Sequence, residues 1–520
     1  MDYRPEEVTT VSLLELAARK YPNREFLICE EIRRTFKEVD ERVNSLANAL
    51  VEMGIQRGDR VGSFLANCPE ILENYMASNK AGALPVPINF RLSPREIAWI
   101  LTHAKAKALF FGEEFLPAVE KIRSEVPSIQ HYIMVGKKAV PGMFLYEEVV
   151  SQYPSRPPGI RIGPDDPAML MYTAGTTGFP KGVYCRHKSN MWSLVNSILY
   201  DTMLGRFNIQ ECMAYPLPFF HKAAYITAVS QLIKFGRCVI LRTFDAAKLL
   251  ETIQKERVNQ FAMVPIVAAA ILQVPALEKH DVSSWHTVRC TGAPLPVALK
   301  EKFAKTFPHV DICDNYGMTE IATIAMHVTK GKVGNATTVG KPHPLTEVKI
   351  LDEGGRELPP GEIGEICVRS PALFSEYFEN PQANAEGFAG GWFHTADMGL
   401  FDEEGYLYIK DRKKDMVISG GENIYPAEVE QVLFTHPKIQ EASCIGIPDP
   451  QFGEAVMAVV VPKAGQSLSE AEVIEYTSQR LAKFKVPKRV AFIEALPRSA
   501  VGKVLRRELR KQFGGMTVKY

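Results

Sequence analysis

Apolar residues recur at Val39, Val43, Leu46, Ala47 and Leu50, the spacing of one helix face, and Gly54 stands where a C-cap would fall. The run Arg60-Val61-Gly62-Ser63-Phe64-Leu65 lacks that period and reads as a buried strand. Ser93-Pro94-Arg95-Glu96 is a capping box with proline at the first helical position, opening a helix toward Leu101, and a strand over 108–112 follows. Such alternation predicts parallel sheets covered by helices. The stretch from Tyr153 to Pro167, with several prolines and glycines, reads as a surface connection, and a second alternating segment runs from Ala168 to about Gly340. From Val348 to Ile409 short strands and turns at 352–355 and 402–405 predict a more antiparallel β subdomain. Past Asp411 a charged segment, Arg412-Lys413-Lys414-Asp415, leads into a short α/β unit. Its expected parts are a helix from near Pro426, strands at 444–447 and 456–461, and another capping box at Ser469–Glu472. The expected class is α/β: a large N-terminal domain of stacked α/β subdomains plus a β subdomain (1–411), then a small α+β C-terminal domain (412–520).

Composition narrows the function classes. At 520 residues the chain exceeds one compact core, and 46% hydrophobic against 23% charged residues is globular rather than disordered. With 61 basic and 60 acidic residues, no global field draws the chain to nucleic acid or an acidic membrane. The nine cysteines are scattered singly without a C-x-x-C pair, which argues against a thiol–metal site and predicts reduced core thiols. The polar start lacks the regions of a signal peptide, and no apolar run is long enough for an integral membrane segment, so a cytoplasmic location is expected.

The most informative segment follows the apolar strand 168–171: Thr173, Gly175, Thr176, Thr177, Gly178 and Lys181 share one glycine-rich loop. Glycines let backbone N–H groups crowd a polyphosphate, the threonines add hydroxyl donors, and Lys181 supplies positive charge. The spacing is not that of a Walker loop; Gly334 to Gly340-Lys341 comes within one residue of it, a chance near-miss ended by Pro342.

This segment resembles the phosphate-binding signature of the adenylate-forming superfamily, which holds acyl- and aryl-CoA synthetases, peptide-synthetase adenylation domains and firefly-type luciferases. Ala174 stands where the family commonly has serine. Further motifs appear in family order. Gly292, Ala293 and Pro294 are similar to the adenine-side turn, although alone they read as a strand-to-helix turn. Asp314-Asn315-Tyr316-Gly317-Met318-Thr319-Glu320 is more specific: the tyrosine offers a stacking face for adenine, Thr319 a hydroxyl for phosphate, and Glu320 a hard oxygen ligand for Mg²⁺. Thr176 is the second metal-side candidate. The segment with Asp397 resembles the ribose-binding stretch, with Ala396 in place of the usual glycine. Arg412 matches the hinge segment's ribose- or phosphate-contacting arginine, Asp411 replaces a more usual glycine, and Asp415 matches the position about which the C-terminal domain rotates. Gly420 and Gly421 look like the pair lining the pantetheine tunnel, and Lys503 like the late catalytic lysine, with Val501 where serine or threonine is usual.

The resemblance implies a two-step reaction. A carboxylate attacks the α-phosphate of ATP, Mg²⁺ and Lys181 offset phosphate charge, and Lys503 holds the reacting oxygens in line. The mobile small domain then rotates and presents the glycine pair for transfer to coenzyme A. Phe220 and His221 resemble the aromatic–histidine segment at the mouth of the acyl pocket. Lys222-Ala223-Ala224 offers no acid to pair with an amino-acid ammonium, and the apolar runs 261–265 and 268–270 suggest a hydrophobic pocket. A fatty or aromatic acid is therefore the expected substrate. Loading of a carrier-protein phosphopantetheine, a luciferase-like oxidation and a non-catalytic nucleotide- or acyl-CoA-binding homologue stay open. So does oligomeric state, a homodimer included.

Overall fold

A computed structural model describes residues 8–173, 180–203, 205–329, 333, 337–498 and 504–518. Ala174, Gly175, Thr176, Thr177 and Gly178 lie outside these described residues, as do Gly334, Val501 and Lys503.

The expected alternation forms two largely parallel sheets in the large N-terminal region. One has nine strands, with five neighbouring pairs from Glu25–Cys29 through Asp311–Tyr316 all parallel and the edges antiparallel. The other has five strands, Arg60–Phe64 at its heart between Leu84–Pro87 and Ala106–Gly112. Inner strands such as Cys212–Tyr215 and Gln260–Met263 are buried at every position, which is why they read as unbroken rather than alternating.

Local signals placed the helices well. Phe36–Glu52 opens on a complete capping box from Thr35 and Glu38, and Gly54 follows its last turn at φ +81°. Pro94–His103 opens on the expected Ser93–Glu96 box. The box at Ser469 is only half made: Ser469 accepts from the Glu472 N–H, but the Glu472 carboxylate turns to Lys438 at 2.8 Å. A tertiary ion pair outcompetes the local bond there.

The antiparallel subdomain appears as a four-stranded sheet containing Glu347–Leu351, Gly364–Arg369, Phe393–Phe401 and Leu407–Arg412. The last sheet, also five-stranded, carries the long hairpin Ile439–Asp449 and Gly453–Pro462, the short strand Arg489–Phe492 and the helix Pro426–Phe434 packed on it. All nine cysteines are free and buried, the reduced core thiols that scattered spacing predicts. Among the described residues no helix is long and apolar enough to cross a membrane.

Candidate functional site

Four adjacent parallel strands end at one edge of the nine-stranded sheet, and each hands over a sequence motif there. The segment Pro216–His221 follows Cys212–Tyr215, and Val264 follows Gln260–Met263. Gly292–Pro294 follow Thr287–Cys290, and Gly317–Glu320 follow Asp311–Tyr316. The carboxyl ends of parallel strands are where such sheets leave a crevice for ligands. Gly292, Ala293 and Pro294 are exposed there in the turn before the helix Val297–Thr306. Gly317 is required by packing: a Cβ on it would lie 1.9 Å from the Ala322 carbonyl oxygen. Met318 packs between two apolar clusters, one from the antiparallel sheet and one around Val183 and Phe374.

Tyr316 and Asp397 meet directly. The Tyr316 hydroxyl donates to Asp397 Oδ2 at 2.7 Å, and Arg412 Nε lies 2.6 Å from Asp397 Oδ1. Asp397 and Arg412 face each other as register partners on neighbouring strands. Burial works against the charge on Arg412, but Asp397, Tyr316 and Glu320 outweigh it and keep the guanidinium ionised. The Tyr316 ring is buried among Ile321, Ile324 and Ala325, so its hydroxyl fixes the Asp397 carboxylate. Ala396, just before Asp397, sits at φ +58°, in the left-handed region that favours glycine. The substitution at this position is therefore a strained one.

Glu320 and Lys181 are joined through a residue that sequence reading passed over. Tyr377 lies on the short strand Glu376–Tyr377, paired with Lys181–Arg186. Its ring lies 4.9 Å below Lys181 Nζ, and its hydroxyl donates to Glu320 Oε1 at 2.9 Å. Burial pushes the Glu320 carboxyl above its ordinary range, and the Tyr377 bond pulls partly the other way. The only sequence signal near Tyr377 is Asn380-Pro381, which starts the following helix. Thr173 pairs with Lys181 across the base of the glycine-rich loop. Thr319 sits half-buried in the turn beside Glu320.

Asn315 and Asp314 part company. Asn315 Oδ1 is buried without a hydrogen-bond partner, an acceptor suited to an exocyclic amine such as that of adenine. Asp314 spends its carboxylate on Lys300 at 2.7 Å, so its side chain is not brought together with Asp397 and Glu320. Glu320 is a hard oxygen donor of the kind that holds Mg²⁺ together with substrate phosphates. Among the described residues no three His, Cys, Asp or Glu side chains form a closed metal cage.

His221 occupies the N-cap of the helix Lys222–Lys234, its ring 4.4 Å from Phe220, which meets Phe90 edge-on at 5.3 Å. Buried Asn67, also unread in the sequence, holds this segment by accepting from the Phe219 N–H and donating to the Leu217 carbonyl, both at 3.0 Å. Lys222 turns inward to Asn190 Oδ1 at 2.5 Å and Cys185 Sγ at 3.3 Å, and Ala223 and Thr227 on the same helix are half-buried. Gly420 and Gly421 form the two-residue turn between Val417–Ser419 and Glu422–Ile424, with φ +60° and +86° as a type I′ hairpin demands. Their neighbour is Phe452, whose carbonyl accepts from the Gly420 N–H at 2.8 Å, and not the Asp397–Glu320 cluster.

The AMP-binding enzyme family matches residues 14–378, and its C-terminal domain matches residues 428–503. The chain belongs to the AMP-binding enzymes. It is 36% identical over 490 residues to a feruloyl-CoA synthase of an Amycolatopsis species, covering 92% of this chain and 94% of that one. It is 33% identical over 498 residues to the long-chain-fatty-acid–CoA ligase FadD13 of Mycobacterium tuberculosis, covering 94% and 95%. Its structure matches the anthranilate CoA ligase AuaEII, solved with anthranoyl-AMP, at a TM-score of 0.88 and 28% identity over 98% of each chain. Within the AMP-binding enzymes it falls among the AMP-forming acid–thiol ligases, as the motif order implied.

Proposed function

We propose that this ligase activates an apolar, non-amino carboxylic acid with ATP as the acyl-adenylate and passes the acyl group to coenzyme A. The observation that carries this is the convergence of Tyr316, Asp397 and Arg412 with the Lys181–Tyr377–Glu320 line at one sheet edge. Asp397 accepts from the ribose hydroxyls, Asn315 from the adenine amine, and Gly292–Pro294 let the base lie against backbone. Bound through Glu320 and Thr176, Mg²⁺ would neutralise phosphate charge as pyrophosphate leaves. Lys181, steadied over Tyr377, adds charge on the same phosphates, and Lys503 aligns the attacking carboxylate oxygen with the α-phosphate. His221 and Thr319 flank the reacting carboxylate and phosphate. The small domain, residues 412–520, then turns about Asp415 and offers Gly420–Gly421 to the pantetheine arm.

The acid reading rests on Phe90 and Phe220, on the small Ala223, and on Lys222 being spent in the core rather than offered to substrate. Relatives that act on feruloyl and long-chain fatty groups fit an apolar acid of either kind. A panel of cinnamic, benzoic, octanoic and palmitic acids with phenylalanine, assayed for ATP-dependent pyrophosphate release with and without CoA, tests it. The expected result is release with at least one apolar acid and a CoA thioester as product. Preference for phenylalanine, or no release with any acid, overturns it; thioester formation only on a carrier protein replaces the acceptor.

A further inference from the structure

Asp411 is the penultimate residue of the strand Leu407–Arg412, just before the segment that leads into the small domain. Its carboxylate contacts both sides of that join. Oδ1 accepts from the Arg412 backbone N–H at 2.8 Å and from Arg506 Nη1 at 2.7 Å, and Oδ2 accepts from the Ala427 N–H at 2.8 Å. Ala427 is the second residue of the helix Pro426–Phe434, whose own N-cap, Tyr425, makes no side-chain capping bond. Asp411 thus caps that helix from sixteen residues upstream, placing a negative charge on its positive end.

Arg506 lies three positions beyond Lys503 and is largely buried. It grips Glu430 with both oxygens at 2.9 and 3.0 Å, and its other terminal nitrogen reaches Asp411 and, at 3.3 Å, Asp415. Arg510, one helical turn on, meets Asp415 at 2.8 Å. Glu430 and Ala427 share a helix with each other and a domain with Arg506, so they move together. Asp411 stands on the other side of Asp415. A rotation about Asp415 keeps Arg506 on Glu430 and must part Asp411 from both Arg506 and Ala427.

We propose that Asp411 is a positioning residue that latches the small domain in the orientation seen here, by capping the helix Pro426–Phe434 and seating Arg506 across the hinge. In adenylation and thioester formation, the latch sets how the protein divides its time between the two orientations. The rotation about Asp415 and that last consequence rest on the two-step reading proposed above; the contacts of Asp411 do not.

The test uses the full chain with spin labels at Glu403→Cys, in an exposed turn of the large domain, and Gln466→Cys, in an exposed turn of the small one. The native cysteines are buried and leave these two as the reactive thiols. Distance distributions by pulsed electron–electron resonance are compared for the parent, Asp411→Ala and Arg506→Lys, each checked for a native circular-dichroism spectrum. The latch predicts one dominant distance in the parent and a second or broadened population in both variants. It also predicts that the ratio of the two single-turnover half-reactions shifts at least threefold, one rate rising as the other falls. Identical distributions in parent and both variants overturn the latch whatever the activities. A shifted distribution with an unchanged ratio upholds the latch and overturns the two-orientation account of the chemistry. Arg506→Lys, which leaves Asp411 its Ala427 bond, separates a latch from a merely structural cap: a shift confined to Asp411→Ala overturns the role of Arg506.

Discussion

Asp201 and Asp397 are both buried carboxylates held by an arginine, and they differ in what else faces them. Asp201 meets Arg289 at 2.5 Å and Lys234 at 2.9 Å, and Lys234 also holds Glu211 at 2.6 Å. All four side chains are closed off, the most exposed at 9%, and two cations balance two carboxylates. Burial raises the Asp201 carboxyl, but Arg289 and Lys234 outweigh it and hold it below its ordinary range. Asp397 instead pairs with an Arg412 side chain that is 43% exposed, beside a Glu320 whose carboxyl burial pushes up and an Asn315 oxygen with no partner. Buried charge alone does not mark a site. An opening to solvent beside it does: the Arg412 side chain can meet a ligand, whereas no side chain of the Asp201 cluster can.

The contrast is broken most sharply by removing each aspartate. Asp201→Ala leaves buried Arg289 without its carboxylate, while Lys234 keeps Glu211, and is expected to cost about 3–5 kcal/mol of stability in urea unfolding, with adenylation per folded molecule retained. Asp397→Ala is expected to lower kcat/KM for ATP by roughly 10- to 100-fold, the loss of a charged hydrogen bond to substrate, and to cost less stability than Asp201→Ala, because it strips a partner from the buried Tyr316 hydroxyl but leaves Arg412 able to reach water. Equal unfolding free energies for the two variants would contradict the distinction.

The closed cluster also has a titrating neighbour. His343 stacks on Tyr200 at 4.7 Å, and burial, aided by Arg289, presses its pKa down to about 4. Its folded value lies below the unfolded one near 6.5, so its contribution is complete above pH 6.5 and is lost as pH falls toward 4. The expected slope is up to about 1.4 kcal/mol per pH unit. Buried His187, also pressed to about 4, adds in the same window. Urea midpoints at pH 7, 6 and 5 should fall steadily, and His343→Phe should flatten part of that fall.

On the open side, Tyr377→Phe removes the bond that lowers the Glu320 carboxyl. The acid limb of the kcat/KM profile should then move to higher pH, whereas a merely structural role would lower activity at all pH values alike. The smallest effect is at Ala396→Gly. Relief of the left-handed strain exceeds the added chain entropy by about 0.5–1 kcal/mol, seen as a raised thermal midpoint.

What could be read along the chain was whatever a few neighbouring residues decide. The Ser93–Glu96 box, the turn at Gly420–Gly421, the strand-helix alternation and the compact motif Asp314–Glu320 each depend on spacing within a turn or two. Where the reading stopped, a distant partner was needed. Asp314 looked like its motif neighbours until Lys300 claimed its carboxylate, and Lys222 told only that no acid stood there, its burial on Asn190 and Cys185 being a matter of distant partners.

Sequence alone therefore determined the class of chemistry, since adenylate-forming motifs are short and contiguous and the order of their elements fixes which sheet edge they share. Only the tertiary structure decided which polar groups are spent and which are spare. Tyr377 reaches Glu320 across 57 residues and Arg506 reaches Asp411 across 95. The backbone at Ala396 took a glycine's conformation that no residue type announces. A hydrogen bond belongs to whichever donor arrives within about 3 Å, and arrival is settled by how sheets and helices pack, not by distance along the chain.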